Sequence, residues 1–376
     1  MAEDSVIVKK EKQGFLKKMG NSFAGIPIGL LLLIFGVIFL GNNEKANVNN
    51  IKDVKELRSN IIDISSKEIN KKNDSKLVAL SGKLNYGENG VVDSLFNVSA
   101  SSPKLKRIVE MYQWVEDKKE TDDKVTYSYS KEWSTKIIDS SEFNTTTGHE
   151  NKTEMPYEEI IFVVDEDLKV GEFTLINSFK DLISVSDDYK NYENVVLPEG
   201  YTINNEYITN SVNVLEPQVG DIRVSYKVAN YSDVSVIGKQ IGDEIGAYDT
   251  KTNSSIIKLY KGTKNANQMI NSIESSNKAS KWIKRVIGTL LIIFGVSLVL
   301  GPITTLIGYI PFLGNIVNSM IGIVSFIIGL SISLLVIAIS WFVVRPVLSI
   351  ILVAAISLLI VGLVYIKKNK TKEVTN

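Results

Sequence analysis

VIGTLLIIFGVSLVLGPITTLIGYIPFLGNIVNSMIGIVSFIIGLSISLLVIAISWFVV, residues 286–344, carries no charged side chain. The hydrocarbon core of a bilayer is about 30 Å thick and is crossed by about 20 helical residues, so these 59 residues hold more than one crossing. Gly301, Pro302, Gly308, Pro311, Gly314 and Asn315 divide them into spans at 286–306 and 317–343. Arg345 and Pro346 end the second piece, an uncharged stretch at 347–366 supplies a further span, and Lys367, Lys368, Lys370 and Lys372 follow it. Within the spans only Ser, Thr, Asn315 and Asn318 are polar, so a single copy offers no charged path of the kind pores and pumps use.

Working back toward the N-terminus, residues 21–41 are another uncharged run, preceded by Lys9, Lys10, Lys12, Lys17 and Lys18. A signal peptide is the competing reading of a basic stretch before an apolar one. The run is long for that purpose and no small-x-small cleavage site follows, so it is read as an uncleaved anchor. Gly25-x-x-x-Gly29 within it is the spacing of a helix-packing face. Four spans place both termini on one side. Lysines and arginines flank both ends of the spans, so the positive-inside rule does not choose which side that is.

The chain has 376 residues and a formal net charge of +0, which conceals a segregation. Residues 42–280 hold 29 Lys and Arg against 38 Asp and Glu, a net of −9, whereas 1–20 and 367–376 are basic tails. A segment of that size and polarity is a solvated domain with room for its own core. With no Cys and one His, disulfides, thiolate nucleophiles, Cys/His zinc sites and iron–sulfur clusters are excluded. His149 stands in a loop-like Thr-Gly-His-Glu-Asn stretch with no nucleophile motif, phosphate loop or metal-ligand spacing beside it. No catalytic, cofactor-binding or metal-binding residue is therefore assigned, and no enzyme is expected. Six Asn-x-Ser/Thr sequons occur, about as many as so much Asn, Ser and Thr gives by chance, and they locate nothing.

Periodicity supplies the domain's elements. Val48, Ile51, Val54, Leu57, Ile61 and Ile64 recur every three or four residues, an amphipathic helix leaving the first span. Met269, Ile270, Ile273, Trp282 and Ile283 give a looser version before the second. Between them the period falls to two. In VEMYQWVE (109–116), Glu110, Tyr112, Trp114 and Glu116 share one face, and in VTYSYSKEW (125–133) so do Tyr127, Tyr129, Lys131 and Trp133. A charged connection at 117–124 joins them as a hairpin with facing aromatics. The stripe is either a partner platform or a sheet face packed on the core; the second reading is preferred, with Trp114 and Trp133 buried. Further strands are expected at 76–84, 160–164, 173–176, 222–228, 234–237 and 256–260, a mainly β domain.

KLKRIVEMYQWVE (104–116), YSYSKEW (127–133), GHEN (148–151), VGEF (170–173), PQVGDIRVSY (217–226) and WFVVRP (341–346) together, in this order, resemble the LUMA family, transmembrane protein 43. The resemblance implies four spans, termini in the cytoplasm or nucleoplasm, and a lumenal domain. It also implies residence in the endoplasmic reticulum or inner nuclear membrane in eukaryotes, self-association, contact with emerin and lamins, and no known catalysis. Prokaryotic relatives, in which the membrane would be the plasma membrane, are proposed to act in conflict systems. Relatives carry charges between the second and third spans, where GYIPFLGN here has none.

The fold class expected is thus integral membrane, α+β: four transmembrane helices with a large, mainly β extracytoplasmic domain at 42–280 between the first and second. The function expected is a non-enzymatic, self-associating scaffold that organises a membrane patch or complex. Its partners would be the lipid bilayer, a second copy of itself and other membrane proteins, with no cofactor and no nucleic acid. The alternative is an extracytoplasmic sensor or signal relay, in a prokaryotic defence system for example.

Overall fold

The computed structural model describes residues 4–9, 15–121, 124–192, 195–204, 206–307, 314–342, 346–347, 349–358 and 361–362. Two compact units emerge, one of Met1–Lys12 with Asn60–Met269 and the other of Gln13–Ser59 with Ile270–Asn376.

The second unit is helical. α1 (Phe15–Asn60), α2 (Ala266–Ile307) and α3 (Gly314–Trp341) are long and apolar enough to cross a membrane, and they contain the expected spans at 21–41, 286–306 and, as far as residue 341, at 317–343. A shorter apolar helix, α4 (Ser349–Leu358), occupies the middle of the expected fourth span, whose remaining length lies partly outside the described residues. Arg345 and residues 308–313 of the connection between the second and third spans also lie outside them.

The amphipathic stripe after the first span is not a separate helix. No Gly or Pro interrupts 42–60, so the backbone continues and α1 runs 46 residues, about 70 Å at 1.5 Å per residue. Beyond Asn60 the pattern changes to strand, which leaves Ile61 and Ile64 outside the helix.

Glycines set how closely the helices approach. A Cβ on Gly29 would lie 2.7 Å from the Gly295 carbonyl oxygen, and one on Gly295 would lie 2.7 Å from the Gly29 carbonyl oxygen, so the backbones of α1 and α2 touch there. Gly25, the other half of the small-residue pair, makes only ordinary contact with Leu298. Gly329 brings α3 against Ile293 of α2 in the same way, with 2.7 Å to its side chain. Ser333 and Ser340 of α3 donate to the carbonyls of Gly329 and Val336 four residues back, so these hydroxyls satisfy themselves within the helix.

The first unit is built from strands, as the alternating patterns require. Its main members are β1 (Asp4–Lys9), β2 (Leu77–Asn85), β3 (Lys104–Glu120), β4 (Lys124–Ser134), β5 (Ile222–Val228) and β6 (Asp233–Ile241). β2 pairs with Leu168–Val170, which pairs with Phe173–Leu175, then in parallel with Glu244–Gly246, then β6, and β6 pairs again with β2. The ring closes into a five-stranded barrel. In chain order its strands run 1-2-3-5-4 around the ring, with the third and fifth parallel, and this is the topology of the OB-fold.

Two insertions, one between the first and second barrel strands and one between the third and fourth, build a second sheet that β1 from the N-terminal segment extends at one edge, in the order β1, β4, β3, β5, Tyr207–Thr209, Thr202–Asn204. Val78, Leu80, Phe173 and Val236 from the barrel share one core with Leu105, Val109, Met111, Val224 and Tyr226 from the second sheet.

The hairpin β3–β4 is present with its aromatics facing one another as expected, and its register sets Tyr112 opposite Trp133, Trp114 opposite Lys131 and Glu116 opposite Tyr129. It is longer than expected, because the charged residues 117–120 continue the ladder instead of forming the turn. β1 was not anticipated within the basic N-terminal stretch. Ser5, Val6, Ile7 and Val8 suit a strand, and the open edge of β4 supplies the unpaired N–H and C=O groups that they meet.

Where the two sheets share their core, a charge is sealed in. Arg107 on β3 donates through Nη1 to both oxygens of Asp93, at 3.0 and 2.8 Å, and through Nε to the Glu158 carbonyl. Tyr226 on β5 donates to Asp93 Oδ2 at 2.7 Å, and burial, followed by the Asp93 hydrogen bond and charge, drives the Tyr226 hydroxyl far above the ordinary range for a phenol. The rings of Phe96 and Phe162 flank the guanidinium. Breaking a buried pair from one side leaves the other charge unmet. Asp93→Ala should therefore lower the unfolding free energy by about 3–5 kcal/mol, and Tyr226→Phe by about 1–2 kcal/mol. Urea denaturation of the detergent-solubilised chain, followed by tryptophan fluorescence, measures both.

Candidate functional site

Two places gather polar chemistry. The first is the outer face of the hairpin. Val109, Met111 and Gln113 of β3 point into the protein, and the face carrying Tyr112, Trp114 and Glu116 is the other one. The expectation that this face packs on the core is therefore corrected: Trp114 and Trp133 are mostly covered, as expected, but by Lys131, Arg223 and His149 and not by the core. Arg223 lies over Trp133 at 4.5 Å while its Nε and Nη2 hold Glu110 at 2.6 and 3.0 Å, and Lys131 lies over Trp114 at 4.4 Å. Alternation separates the two faces of a strand without saying which one meets the core.

Residues 136–151 return across this face. Asn151 accepts from the Trp114 N–H at 2.7 Å and donates to the carbonyls of Trp114 and Ile138 at 2.9 and 3.2 Å, taking the part of a neighbouring strand. His149 is in a loop, as read, but it is buried. Its ring stacks on Tyr129 with centroids 3.9 Å apart, meets Trp114 edge-on at 4.6 Å, and places Nδ1 3.1 Å from the Thr145 carbonyl. A carbonyl only accepts, so Nδ1 donates there. Tyr129 donates to Glu116 at 2.7 Å, and the Asn144 and Thr145 amides donate to Glu116 and to the Tyr129 oxygen. Burial, then the Glu116 hydrogen bond, raises the Tyr129 pKa, so the phenol keeps its proton as a fixed donor. Histidine here is a packing piece that locks a loop to a hairpin.

The second place lies in the helical unit. Glu44, just beyond the first apolar segment on α1, has no solvent exposure. Arg285, at the start of the apolar segment of α2, donates from Nε and Nη2 to its two oxygens, each at 2.6 Å, and Trp341 near the end of α3 donates from Nε1 at 2.5 Å. Asn43 adds a bond to Glu44 Oε1 at 3.2 Å and one to the Lys281 carbonyl. Burial pushes the Glu44 carboxyl up, but the hydrogen bonds from Arg285 and Trp341 outweigh it and leave the pKa below its usual 4.5. One carboxylate thereby ties three membrane-length helices together. The sequence reading counted Arg285 only as a flanking charge and passed over Glu44. The available signal was an acid at the end of one apolar run and a lone Arg at the start of the next.

Among the described residues no group of three or more His, Asp or Glu stands where it could hold a metal ion. Neither place brings a nucleophile to a base; both are fasteners, one in each unit.

Three membrane-length helices and a mainly β unit inserted between the first and second define an integral membrane protein with a large polar domain. The family model described as transmembrane protein 43 matches residues 111–346, from within the hairpin to just past the clasp, and the chain belongs to that family. Transmembrane protein 43 of Mus musculus is 27% identical over 318 residues, 78% of each chain, and that of Homo sapiens is 27% identical over 317 residues, again 78% of each. The homolog from Drosophila melanogaster is 27% identical over 288 residues, 72% of this chain and 74% of its own. No solved structure matches the chain.

The depressed pKa of Glu44 gives the clasp a pH signature. A carboxyl whose folded pKa lies below its unfolded one contributes stability above the unfolded value and loses it as pH falls through the folded value. Glu44→Gln should cost about 3 kcal/mol near neutral pH, the low end for breaking a buried pair because Arg285 keeps some contact with solvent. The gap between wild-type and variant melting temperatures in detergent should hold steady down to the usual 4.5 and close below it. Melting curves of both proteins across that range check the sign.

Proposed function

We propose that this chain is a non-catalytic membrane scaffold that associates with copies of itself and holds other membrane proteins in a patch, with both termini in the cytoplasm and the β unit outside it. Its membrane would be the plasma membrane in a prokaryote, or the endoplasmic reticulum or inner nuclear membrane in a eukaryote. The observation that carries the reading is the clasp: an ion pair whose carboxylate is fully buried, with a tryptophan donor, fixes three apolar helices against one another. Two of those helices then continue beyond their apolar segments without a break. That is the construction of a rigid strut, and rigidity is what a scaffold requires. Family membership supports the same reading, since the names matched carry no enzymatic activity.

The reading is tested on the full chain in mild detergent, by light scattering on a gel-filtration column. The expected mass is that of two or more copies, held on dilution over about a hundredfold. A monomer throughout would remove the scaffold and leave the sensor or relay as the better account.

The orientation is tested separately, by protease added to sealed vesicles whose cytoplasmic face is enclosed. The β unit should be cut and both tails protected. The pairing of β1 with β4 argues against this arrangement, because no ladder forms through a bilayer and a single crossing by α1 would part the two strands. Protection or cleavage of residues 4–9 together with the β unit would keep that pairing and remove α1 from the count of crossings.

A further inference from the structure

We propose that the outer edge of β4 is a docking site for an extended, β-branched segment of another protein that carries an acid opposite Lys124, and that β1 is its stand-in. The inference depends neither on the scaffold reading nor on the orientation.

Backbone phase defines the edge. The N–H and C=O of Trp114 turn to Asn151, and those of Tyr112 turn to Asp221 and Gly220, away from β4. In an antiparallel ladder the residues opposite them, Lys131 and Trp133, turn outward as well. By alternation so do Tyr129, Tyr127 and Val125. β4 runs eleven residues with no proline, no glycine and no break in register, so of the usual guards on an exposed edge only its charged side chains remain.

β1 shows what this edge accepts. It pairs antiparallel from Asp4 opposite Tyr129 to Lys9 opposite Lys124, and its Asp4, Val6 and Val8 fall at the outward-turned positions 129, 127 and 125. Five of its six residues are exposed, Ile7 by 60%, so the ladder supplies most of its hold. The Asp4 carboxylate stops 3.9 Å from His149 Nε2, too far for a hydrogen bond. At the other end the fit is poor. Lys9 stands directly opposite Lys124, and like charges so placed repel. Among the described residues neither lysine has a hydrogen bond or ion pair that would offset this. β1 therefore fits the edge by its backbone and misfits it by charge. A segment with β-branched residues opposite Tyr127 and Val125 and Asp or Glu opposite Lys124 makes the same ladder without the repulsion. Strand addition of this kind draws affinity from main-chain bonds and specificity from alternate side chains.

The chain has no cysteine, so a disulfide reports the register. Ser5 and Ser128 oppose each other at a pair that exchanges no ladder bonds, where Cα atoms lie about 4.5 Å apart and a disulfide can close. The full chain carrying Ser128→Cys, in nanodiscs, is incubated in glutathione buffer with the peptides Asp-Cys-Val-Ile-Val-Lys and Asp-Cys-Val-Ile-Val-Glu, and mixed disulfides are measured by mass. Val6→Pro is added to take a ladder N–H from β1, which opens the edge whichever side of the bilayer β1 occupies. The Glu-ended peptide should be captured about threefold over the Lys-ended one, the equivalent of about 0.7 kcal/mol from a cross-strand charge pair. Lys124→Gln should bring that ratio to one. Asp-Cys-Pro-Ile-Val-Glu, which lacks a ladder N–H, should be captured no better than cysteine itself. A ratio near one before Lys124 is changed overturns the proposal, and so does equal capture of the proline peptide. Disulfide-linked dimers of the chain in place of peptide adducts would also overturn it, because a second copy would then be what takes the edge. The two peptides are compared on one and the same chain, so a substitution that fails to fold cannot produce the ratio.

Discussion

A carboxylate with no access to water at the edge of an apolar helix has to be met by fixed donors, and the helical unit is arranged around that need. Stripping a carboxylate of water costs several kcal/mol even after relaxation. Glu44 recovers this from a bidentate guanidinium on α2 and an indole on α3, so the three helices have one azimuth in which the bonds close. The Gly29–Gly295 contact fixes α1 against α2 a second time, ten residues along α2 from Arg285. Two fixed points on a pair of helices determine both their rotation and their slide.

The three membrane-length helices were legible because a bilayer imposes a length and forbids charge, and both constraints act on contiguous sequence. The hairpin was legible for a similar reason: period-two patterning and its facing aromatics are local, although the register of Tyr112 with Trp133 depends on residues 117–120 continuing the ladder, which their charge concealed. The barrel was not legible. Its closure depends on β2 pairing with β6 across more than 140 residues of intervening chain, and nothing within either strand announces the other. The side on which Trp114 and Trp133 lie was also hidden. Both faces of β3 carry large side chains, and what decides between them is the return of residues 136–151, held by Asn151 and His149. The clasp was missed because Glu44 and Arg285 are 241 positions apart and look like ordinary flanking charges.

The strings that carry the family likeness turn out to be interlocking pieces. Trp114 from the first meets His149 from GHEN, Asn151 from the same string bonds to the Trp114 backbone, and Arg223 from PQVGDIRVSY covers Trp133 from YSYSKEW. Tyr226, in that same segment, closes on Asp93 beside Arg107, and Trp341 of WFVVRP completes the clasp. A change at one of these positions alters what another one meets.

The two long helices are also matched in length. Arg58 of α1 reaches Asn271 and Glu274 of α2, while Glu44 reaches Arg285. From 44 to 58 is fourteen residues, and from 271 to 285 is fourteen as well, two heptads on each side. One residue added to either helix between these points would rotate everything beyond it by about 100° and lift one end of the ladder out of phase. The pair can lengthen or shorten only in steps near seven residues, and only in both helices together.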